Sequence, residues 1–357
     1  MRRVGVVALL FAAACSGPPA SPPPASPTTT VPAPVAPSFT VAAGGDILVH
    51  PALTEQADAD GARDFAPLLE GLRSAVDADL SLCHLETPLS APGEPTFGYP
   101  AFSAPPEIAT ALKGVGYDAC STASNHTLDR GVRGVVTTLD TLDRAGLAHT
   151  GSYRTEEESR TPLVLEANGV KVGHVSFTYG FNGIPLPEPW TADLLDPEAV
   201  LAAARAARAA GAEVVIASLH WGVEYSQEAS PTQRSLAARL LAPDSPIDLI
   251  IGTHAHAVQP VERIGDKWVV YGMGNQIARH SEPRGITEEG IVTRFKFVKD
   301  GAKWRAVEAF YVPTLVELGP PIRVVDLTRA PVTARRAEAS ARTDGVVRSL
   351  GAAIARP

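Results

Sequence analysis

Six short polar segments, spread over most of the chain, each close an apolar run. They are Gly44 to His50 (GlyGlyAspIleLeuValHis), Cys83 to Thr87 (CysHisLeuGluThr), Ser124 to Asp129 (SerAsnHisThrLeuAsp), Leu219 to Gly222 (LeuHisTrpGly), Gly252 to His256 (GlyThrHisAlaHis) and Gly274 to Gln276 (GlyAsnGln). Together they hold six of the nine histidines, along with Asp46, Glu86, Asn125 and Asp129. Imidazoles and carboxylates gathered at one point suit borderline divalent cations, with Mn, Fe or Zn favoured over Ca. Open α/β sheets bind ligands beyond the carboxyl ends of their strands. The series therefore reads as one metal centre, holding one or two ions, assembled from distant loops.

His254 and His256 stand at i and i+2 on a turn, a spacing that lets both rings face one point. His220 ends an apolar run in the same way. Asp46 follows Gly44 and Gly45, which permit close backbone approach, although a helix cap would use the same residue type. Glu86 ends the second run and is read either as a bridge between two ions or as a surface carboxylate. Asn125 offers an amide oxygen to a metal, which leaves His126 to face a substrate. Asp129, three residues on, can accept from the His126 ring N–H and orient it. That is the arrangement of a general acid with its support. A polar turn capping the following helix is the competing reading of this stretch.

The elements that must position these residues alternate from Phe39 onward. Strands are expected at 39–43, 80–83, 117–120, 214–219, 249–251 and 268–271. Leu163–Glu166 and Val170–Thr178 read as a hairpin turning at Asn168-Gly169. Two antiparallel strands are expected at 291–298 and 306–312. Helices are expected at 65–76, 105–113, 132–145, 197–210 and 232–241, with a terminal one over 334–354 interrupted near Gly345. Continuous apolar strands separated by helices predict an α/β fold with sheets covered by helices. No internal repeat or linker divides residues 39–328, so one domain is expected there, followed by a C-terminal helical tail over 329–357.

The bulk composition limits the function classes. The chain has 357 residues, 45% of them apolar, which is enough for a sizeable core. Its formal net charge of -8 and the absence of long Lys/Arg runs argue against a nucleic-acid partner. Arg2 and Arg3 followed by the apolar stretch Val4–Ala14 fit a secretory signal, and the stretch is too short for a membrane-spanning helix. Ala12-Ala13-Ala14-Cys15 resembles a bacterial lipoprotein box, with residues 1–15 as signal and Cys15 as the lipidated residue that meets the membrane. Residues 16–38, rich in Pro, Ser and Thr and uncharged, then read as a tether. An extracytoplasmic, membrane-anchored location follows, with plain secretion as the alternative. Cys83 and Cys120 are read as buried free thiols, a disulfide being permitted in an oxidising compartment.

In order, GlyAsp (45–46), LeuGlu (85–86), AsnHis-x-x-Asp-x-Gly (125–131), HisTrpGly-x-Glu-Tyr (220–225), Gly-x-His-x-His (252–256) and GlyAsn (274–275) resemble the bacterial poly-γ-glutamate capsule synthesis protein CapA family. That family lies within the calcineurin-like metallophosphatase superfamily. The resemblance implies a four-layer α/β/β/α metallophosphatase-like sandwich. It implies Asp46, Glu86, Asn125, His220, His254 and His256 as the metal-site residues, with His126 protonating a leaving oxygen and Asp129 supporting it. It places the loop Phe97–Pro100 beside the substrate cleft. It implies metal-assisted in-line hydrolysis of a phosphoester, with Glu86 as the bridge if two ions bind, in the making or export of an anionic envelope polymer. Two other readings are an export or anchoring factor with a vestigial site, and a metal-dependent hydrolase or transferase of γ-glutamyl amides. An acidic protein would not hold a polyanion by net charge alone. Three positions depart from the pattern. His84 stands where the family usually has Asn and is read as an inert replacement. Ser124 replaces the first of two asparagines. Leu48 occupies the place of a superfamily histidine, with His50 two residues beyond it.

Overall fold

The architecture follows from which face each strand residue can bury. In the computed structural model, which describes residues 1, 4–15, 17, 36–58 and 61–357, the strands are β1 (Ser38–Ile47), β2 (Leu80–Leu85), β3 (Ala119–Ser121), β4 (Ala148–Thr150), β5 (Leu163–Ala167), β6 (Val170–Thr178), β7 (Val214–His220), β8 (Leu249–Thr253), β9 (Val261–Ile264), β10 (Lys267–Val270), β11 (Asn275–Ile277), β12 (Glu289–Asp300), β13 (Lys303–Leu318) and β14 (Ile322–Asp326). The helices are α1 (Pro51–Ala57), α2 (Ala66–Leu69), α3 (Glu107–Val115), α4 (Gly131–Ala145), α5 (Glu156–Ser159), α6 (Pro197–Ala209), α7 (Pro231–Leu240) and α8 (Ala334–Val347). One sheet runs β14-β13-β12-β1-β2-β3-β4, with β11 also paired to β1. The other runs β5-β6-β7-β8-β10-β9.

Alternation along the strands creates three apolar layers. In β1, Phe39, Val41 and Ala43 join a cluster shared with the second sheet, whereas Ala42 and Ile47 join one shared with α1, α3 and α4. In β7, Val214 and Ile216 face the first sheet, whereas Val215, Ala217 and Leu219 pack on α6 and α7. Successive strand side chains point to opposite faces, so two sheets with apolar residues on both sides require a helical layer outside each. The chain is thus a four-layer α/β/β/α sandwich. Its parallel strands β1, β2 and β3, and β6, β7, β8 and β10, carry the sequence segments that hold the polar motifs.

Local chemistry sets the element ends. Ser230 and Gln233 form a reciprocal capping box at the start of α7. Asp196 accepts from the Glu198 and Ala199 N–H groups at the start of α6. Gly146 closes α4 at a left-handed φ of 75°. Asn168 and Gly169 both take positive φ, as the two-residue hairpin between β5 and β6 requires.

Several expectations change. The helix expected over 65–76 is only α2 followed by a 3-10 turn at Glu70–Leu72. Gly71 there presses on the backbone of β14, where a Cβ would come within 2.1 Å of the Val324 carbonyl oxygen. The short strands β9 and β14 were not expected. The terminal helix runs unbroken through Gly345 but stops at Val347. Residues 329–357 are not an appendage: Ala36–Pro357 form one unit. Within it, Arg335 and Arg342 each lie 2.7 Å from the fully buried Glu289 carboxylate. Met1–Val35 form a separate unit. Its described residues 4–15 carry no helix, and the tether expected over 16–38, like Arg2 and Arg3, lies largely outside the described residues. Among the described residues no helix is long and apolar enough to cross a membrane.

Cys83 and Cys120, read from the sequence as free thiols, form a disulfide. They are register partners on neighbouring parallel strands, with Cα atoms 4.4 Å apart. Spacing along a chain cannot reveal that proximity. The bridge lies on the helix-facing side of the first sheet, so the next residues, His84 and Ser121, turn toward the other side. Closing a loop of this length stabilises a fold by about 2–4 kcal/mol. The double variant Cys83→Ser/Cys120→Ser is therefore expected to lower the urea midpoint, and a reductant is expected to do the same to the parent alone. A parent midpoint unmoved by reductant under conditions that expose three titratable thiols would contradict the bridge.

Candidate metal centre

Parallel strands place their carboxyl ends on one edge, and here both sheets do so on the same side. Asp46 lies at the end of β1, and His84 and Glu86 lie at and just beyond the end of β2. Asn125 and His126 follow β3, His220 closes β7, His254 and His256 follow β8, and Asn275 opens β11. Close backbone approach is built in. A Cβ on Gly45 would lie 2.0 Å from the Gly274 carbonyl oxygen, and one on Gly252 would lie 2.0 Å from that of Tyr271. Only glycine lets the strand ends meet this tightly. His254 and His256 both adopt positive φ, 93° and 49°. This uncommon backbone for non-glycine residues marks a turn held by its surroundings.

Every sequence-expected ligand is buried: Asp46, Glu86, Asn125, His220, His254 and His256 are all at most 4% exposed. The Asp46 carboxylate accepts from the His254 backbone N–H at 3.1 Å and lies 3.2 Å from His256 Nδ1. Glu86 Oε1 lies 3.6 Å from His256 Nε2 and 4.0 Å from His220 Nε2. His220 is held from both sides, by Thr253 Oγ1 at 3.1 Å on Nδ1 and Asn125 Oδ1 at 2.9 Å on Nε2. Asn125 in turn donates to Asn182 Oδ1 at 3.2 Å. Among the described residues two groups have ligand atoms within 4.8 Å of one another: Asp46, Glu86 and His256, and Asp46, His84 and His220. Asp46 is common to both, a place the sequence reading had reserved for Glu86.

Burial sets the protonation states. Asp46, pushed up by burial, is brought below its ordinary range by its contact with His256. His256 is lowered by burial but raised by Glu86 and Asp46 to about 10. Glu86 is raised well above the ordinary range, chiefly by burial. His220 is lowered by burial and by its imidazole neighbours. His254 is lowered to about 3 and His84 to about 4, mainly by burial, so both rings stay neutral. Neutral imidazole is the form that ligates a cation.

Several of these buried atoms lack partners. Both Glu86 carboxylate oxygens, His84 Nε2 and His254 Nδ1 make no hydrogen bond. An unsatisfied buried polar atom costs about 1–3 kcal/mol; Glu86 and His84 belong one to each of the two ligand groups, which share Asp46, while His254 and Asn125 join neither. This donor set fits a borderline divalent cation.

Beside the cluster, His126 Nδ1 lies 2.7 Å from Asp129 Oδ2, which also accepts from the Phe102 backbone N–H at 2.7 Å. Just after the loop Phe97–Pro100, the Phe102 ring meets His126 edge-on at 4.8 Å and His50 at 5.5 Å. Phe97 and Tyr99 in that loop are exposed, and the Arg130 guanidinium covers Phe97 at 4.4 Å. Tyr179, about half exposed, lies 4.4 Å from the His254 ring.

Residues outside the expected set also contribute. His84, read as inert, is 2% exposed and faces Asp46 and His220. Asn275 lies 3.0 Å from His256 Nδ1 through Oδ1 and donates to the Thr287 carbonyl at 2.8 Å, fixing that ring. The GlyAsn segment was a signal for it. Leu48 packs with Phe102 and Ala278 in an apolar cluster. His50 joins neither ligand group; its Nδ1 accepts from the Arg279 backbone N–H at 3.2 Å.

The bacterial capsule synthesis protein family PGA_cap matches residues 40–280. The capsule biosynthesis protein CapA of Bacillus anthracis is 28% identical over 224 residues, covering 61% of this chain and 53% of that protein. The PGA biosynthesis protein CapA of Bacillus subtilis is 26% identical over 198 residues, covering 55% of this chain and 51% of that protein. The chain thus spans about half the length of these relatives. Among solved structures, the calcineurin-like phosphoesterase YfkN of Bacillus subtilis aligns over 86% of this chain and 96% of its own, at 16% identity and a TM-score of 0.49. A phosphatase of Mycoplasma pneumoniae aligns over 79% and 95%, at 14% identity and a TM-score of 0.48.

Most of the buried imidazoles make the metal-free protein acid-sensitive, outnumbering His256 and Glu86, whose upward shifts act in the opposite direction. His50 and His84 are held near 4, and His174, His254 and His280 near 3, each mainly by burial, against 6.5 in an unfolded chain. Below about pH 6.5 the unfolded chain binds protons that the fold refuses, so stability falls with falling pH. Each such group contributes up to about 1.4 kcal/mol per pH unit until its folded pKa is reached. Guanidinium unfolding of chelator-treated protein is expected to show a lower midpoint at pH 5 than at pH 7. Equal midpoints would contradict the neutral, buried state of these rings.

Proposed function

The chain belongs to the bacterial capsule synthesis protein family, and from that premise we propose that it is a metal-dependent, phosphoesterase-like hydrolase. Its substrate is an anionic envelope polymer or a phosphoester precursor of one, and it works outside the cytoplasmic membrane, anchored through lipid on Cys15. The observation that carries the metal reading is the set of unpartnered buried atoms on Glu86, His84 and His254 around the Asp46–His256 pair. The names of the Bacillus relatives support the polymer reading.

Asp46, Glu86, Asn125, His220, His254 and His256 would hold one or two divalent ions. A cation held there supplies Lewis acidity toward an anionic oxygen and lowers the pKa of water. Asp129 accepts from His126 Nδ1–H and orients the ring; with the ring doubly protonated, Nε2–H, which no hydrogen bond engages among the described residues, gives its proton to the leaving oxygen and leaves the ring neutral with its remaining proton on Nδ1. Phe102 restrains the same ring by edge contact.

A second reading, an export or anchoring factor without turnover, draws on Leu48. Its burial in an apolar cluster removes one imidazole from the superfamily pattern.

Replacing His254 and His256 with Ala is expected to abolish stoichiometric metal content and hydrolysis of an aryl phosphodiester in Mn²⁺. His126→Ala is expected to keep the metal and lose about 10²–10⁴-fold in kcat. Unchanged metal content in the double variant sinks the reading. Turnover of γ-glutamyl peptides but not phosphoesters moves it to amide chemistry, and polymer binding without either favours the factor. For the anchor, Cys15→Ser is expected to move the protein from the membrane fraction to the soluble one, and a variant that stays with the membrane would contradict lipidation.

A further inference from the structure

His84 carries chemistry that its neighbours do not explain. It is a register partner of Asp46 on β1 and of Ser121 on β3. Alternation turns it to the side opposite the Cys83–Cys120 bridge. Its ring stacks on that of His220 at 4.8 Å between centroids. Nδ1 lies 2.8 Å from Ser121 Oγ. The Ser121 hydroxyl has a single proton, and the Cys83 carbonyl oxygen, 3.3 Å away, accepts it. The hydroxyl oxygen therefore accepts from His84 Nδ1–H, which leaves the lone pair on Nε2. That lone pair is buried and has no partner, yet Asp46, His84 and His220 offer ligand atoms within 4.8 Å of one another.

The orphaned nitrogen costs about 1–3 kcal/mol in the metal-free protein, and unlike that of His174, which joins no ligand group, it belongs to a residue grouped with Asp46 and His220. Asn, the family's usual residue here, is shorter and presents no imidazole. Meanwhile Leu48, in the place of a superfamily histidine, is committed to Phe102 and Ala278.

We propose that His84 is a metal ligand, which with Asp46 and His220 completes a second divalent-cation position beside that of Asp46, Glu86 and His256. Ser121 is its positioning residue, orienting the ring through Nδ1 as carbonyls and carboxylates do for other metal-bound histidines. The inference rests on the metal reading above, but it concerns which residue ligates and how many ions bind.

The test loads full-length, chelator-stripped protein with Co²⁺. It counts ions per chain by elemental analysis and records hyperfine-shifted imidazole N–H resonances. The parent is expected to take up two ions. His84→Asn is expected to take up one and to lose one shifted N–H signal. Ser121→Ala, which keeps the ligand and guards against a folding defect in the first variant, is expected to weaken the second ion about 10–100-fold. Two ions and the full set of shifted signals in His84→Asn would overturn the proposal. So would one ion in both parent and variant, with the metal reading itself left standing. A parent that binds no Co²⁺ would remove both.

Discussion

The site depends on one constraint: the Asp46 carboxylate is wholly removed from water and must be satisfied by residues from the other sheet. Taking an ion into a protein interior costs several kcal/mol unless partners replace its water. Here the replacement comes from the loop after β8, through the His254 backbone N–H and the His256 ring. The two sheets are thus joined at their carboxyl ends by a polar contact, while apolar packing of Phe39, Val41, Val214 and Ile216 joins them elsewhere. The glycines at 45 and 252 matter because the contact needs backbones closer than any side chain allows.

The rest of the centre is arranged around that pair and is deliberately incomplete as hydrogen bonding goes. His220, Asn125 and Asn182 satisfy one another, and Asn275 steadies His256. Glu86, His84 and His254 keep atoms free. Partly satisfied polar networks are destabilising in a low dielectric. Their persistence, with the His84 ring fixed by Ser121, is the arrangement of a preorganised cation site. His126 and Asp129 stand at its edge as a separate pair, held by Phe102 rather than by the cluster.

Support also comes from behind. The Cys83–Cys120 bridge ties β2 to β3 immediately before His84 and Ser121. The same two strands that carry Glu86 and the Asn125–His126 loop are therefore covalently joined at the base of the site. Such bridges persist where thiols are oxidised, which agrees with the proposed extracytoplasmic location.

Much of this was legible in the sequence. Polar segments closing apolar runs located Asp46, Glu86, Asn125, His220, His254 and His256, because strand ends in α/β sheets are where the backbone leaves the core. The three-residue spacing of His126 and Asp129 marked their pairing. Capping residues and helix-closing glycines marked α4, α6 and α7. Other features were decided only by tertiary structure. Cys83 and Cys120 lie 37 residues apart, and only parallel pairing in register makes them neighbours. His84 looked inert because its closeness to Ser121, Asp46 and His220, each on a different strand, is invisible along the chain. Leu48, two residues after Asp46, stands where the count along the chain allows a ligand, yet its side chain belongs to an apolar cluster. The C-terminal segment joined the sandwich through the ion pairs of Arg335 and Arg342 with Glu289. Residue type and local spacing are properties of the chain and determine which groups can do chemistry. Which lone pairs face one another depends on strand register and sheet packing, contacts between residues tens to hundreds of positions apart, and those were set only by the folded structure.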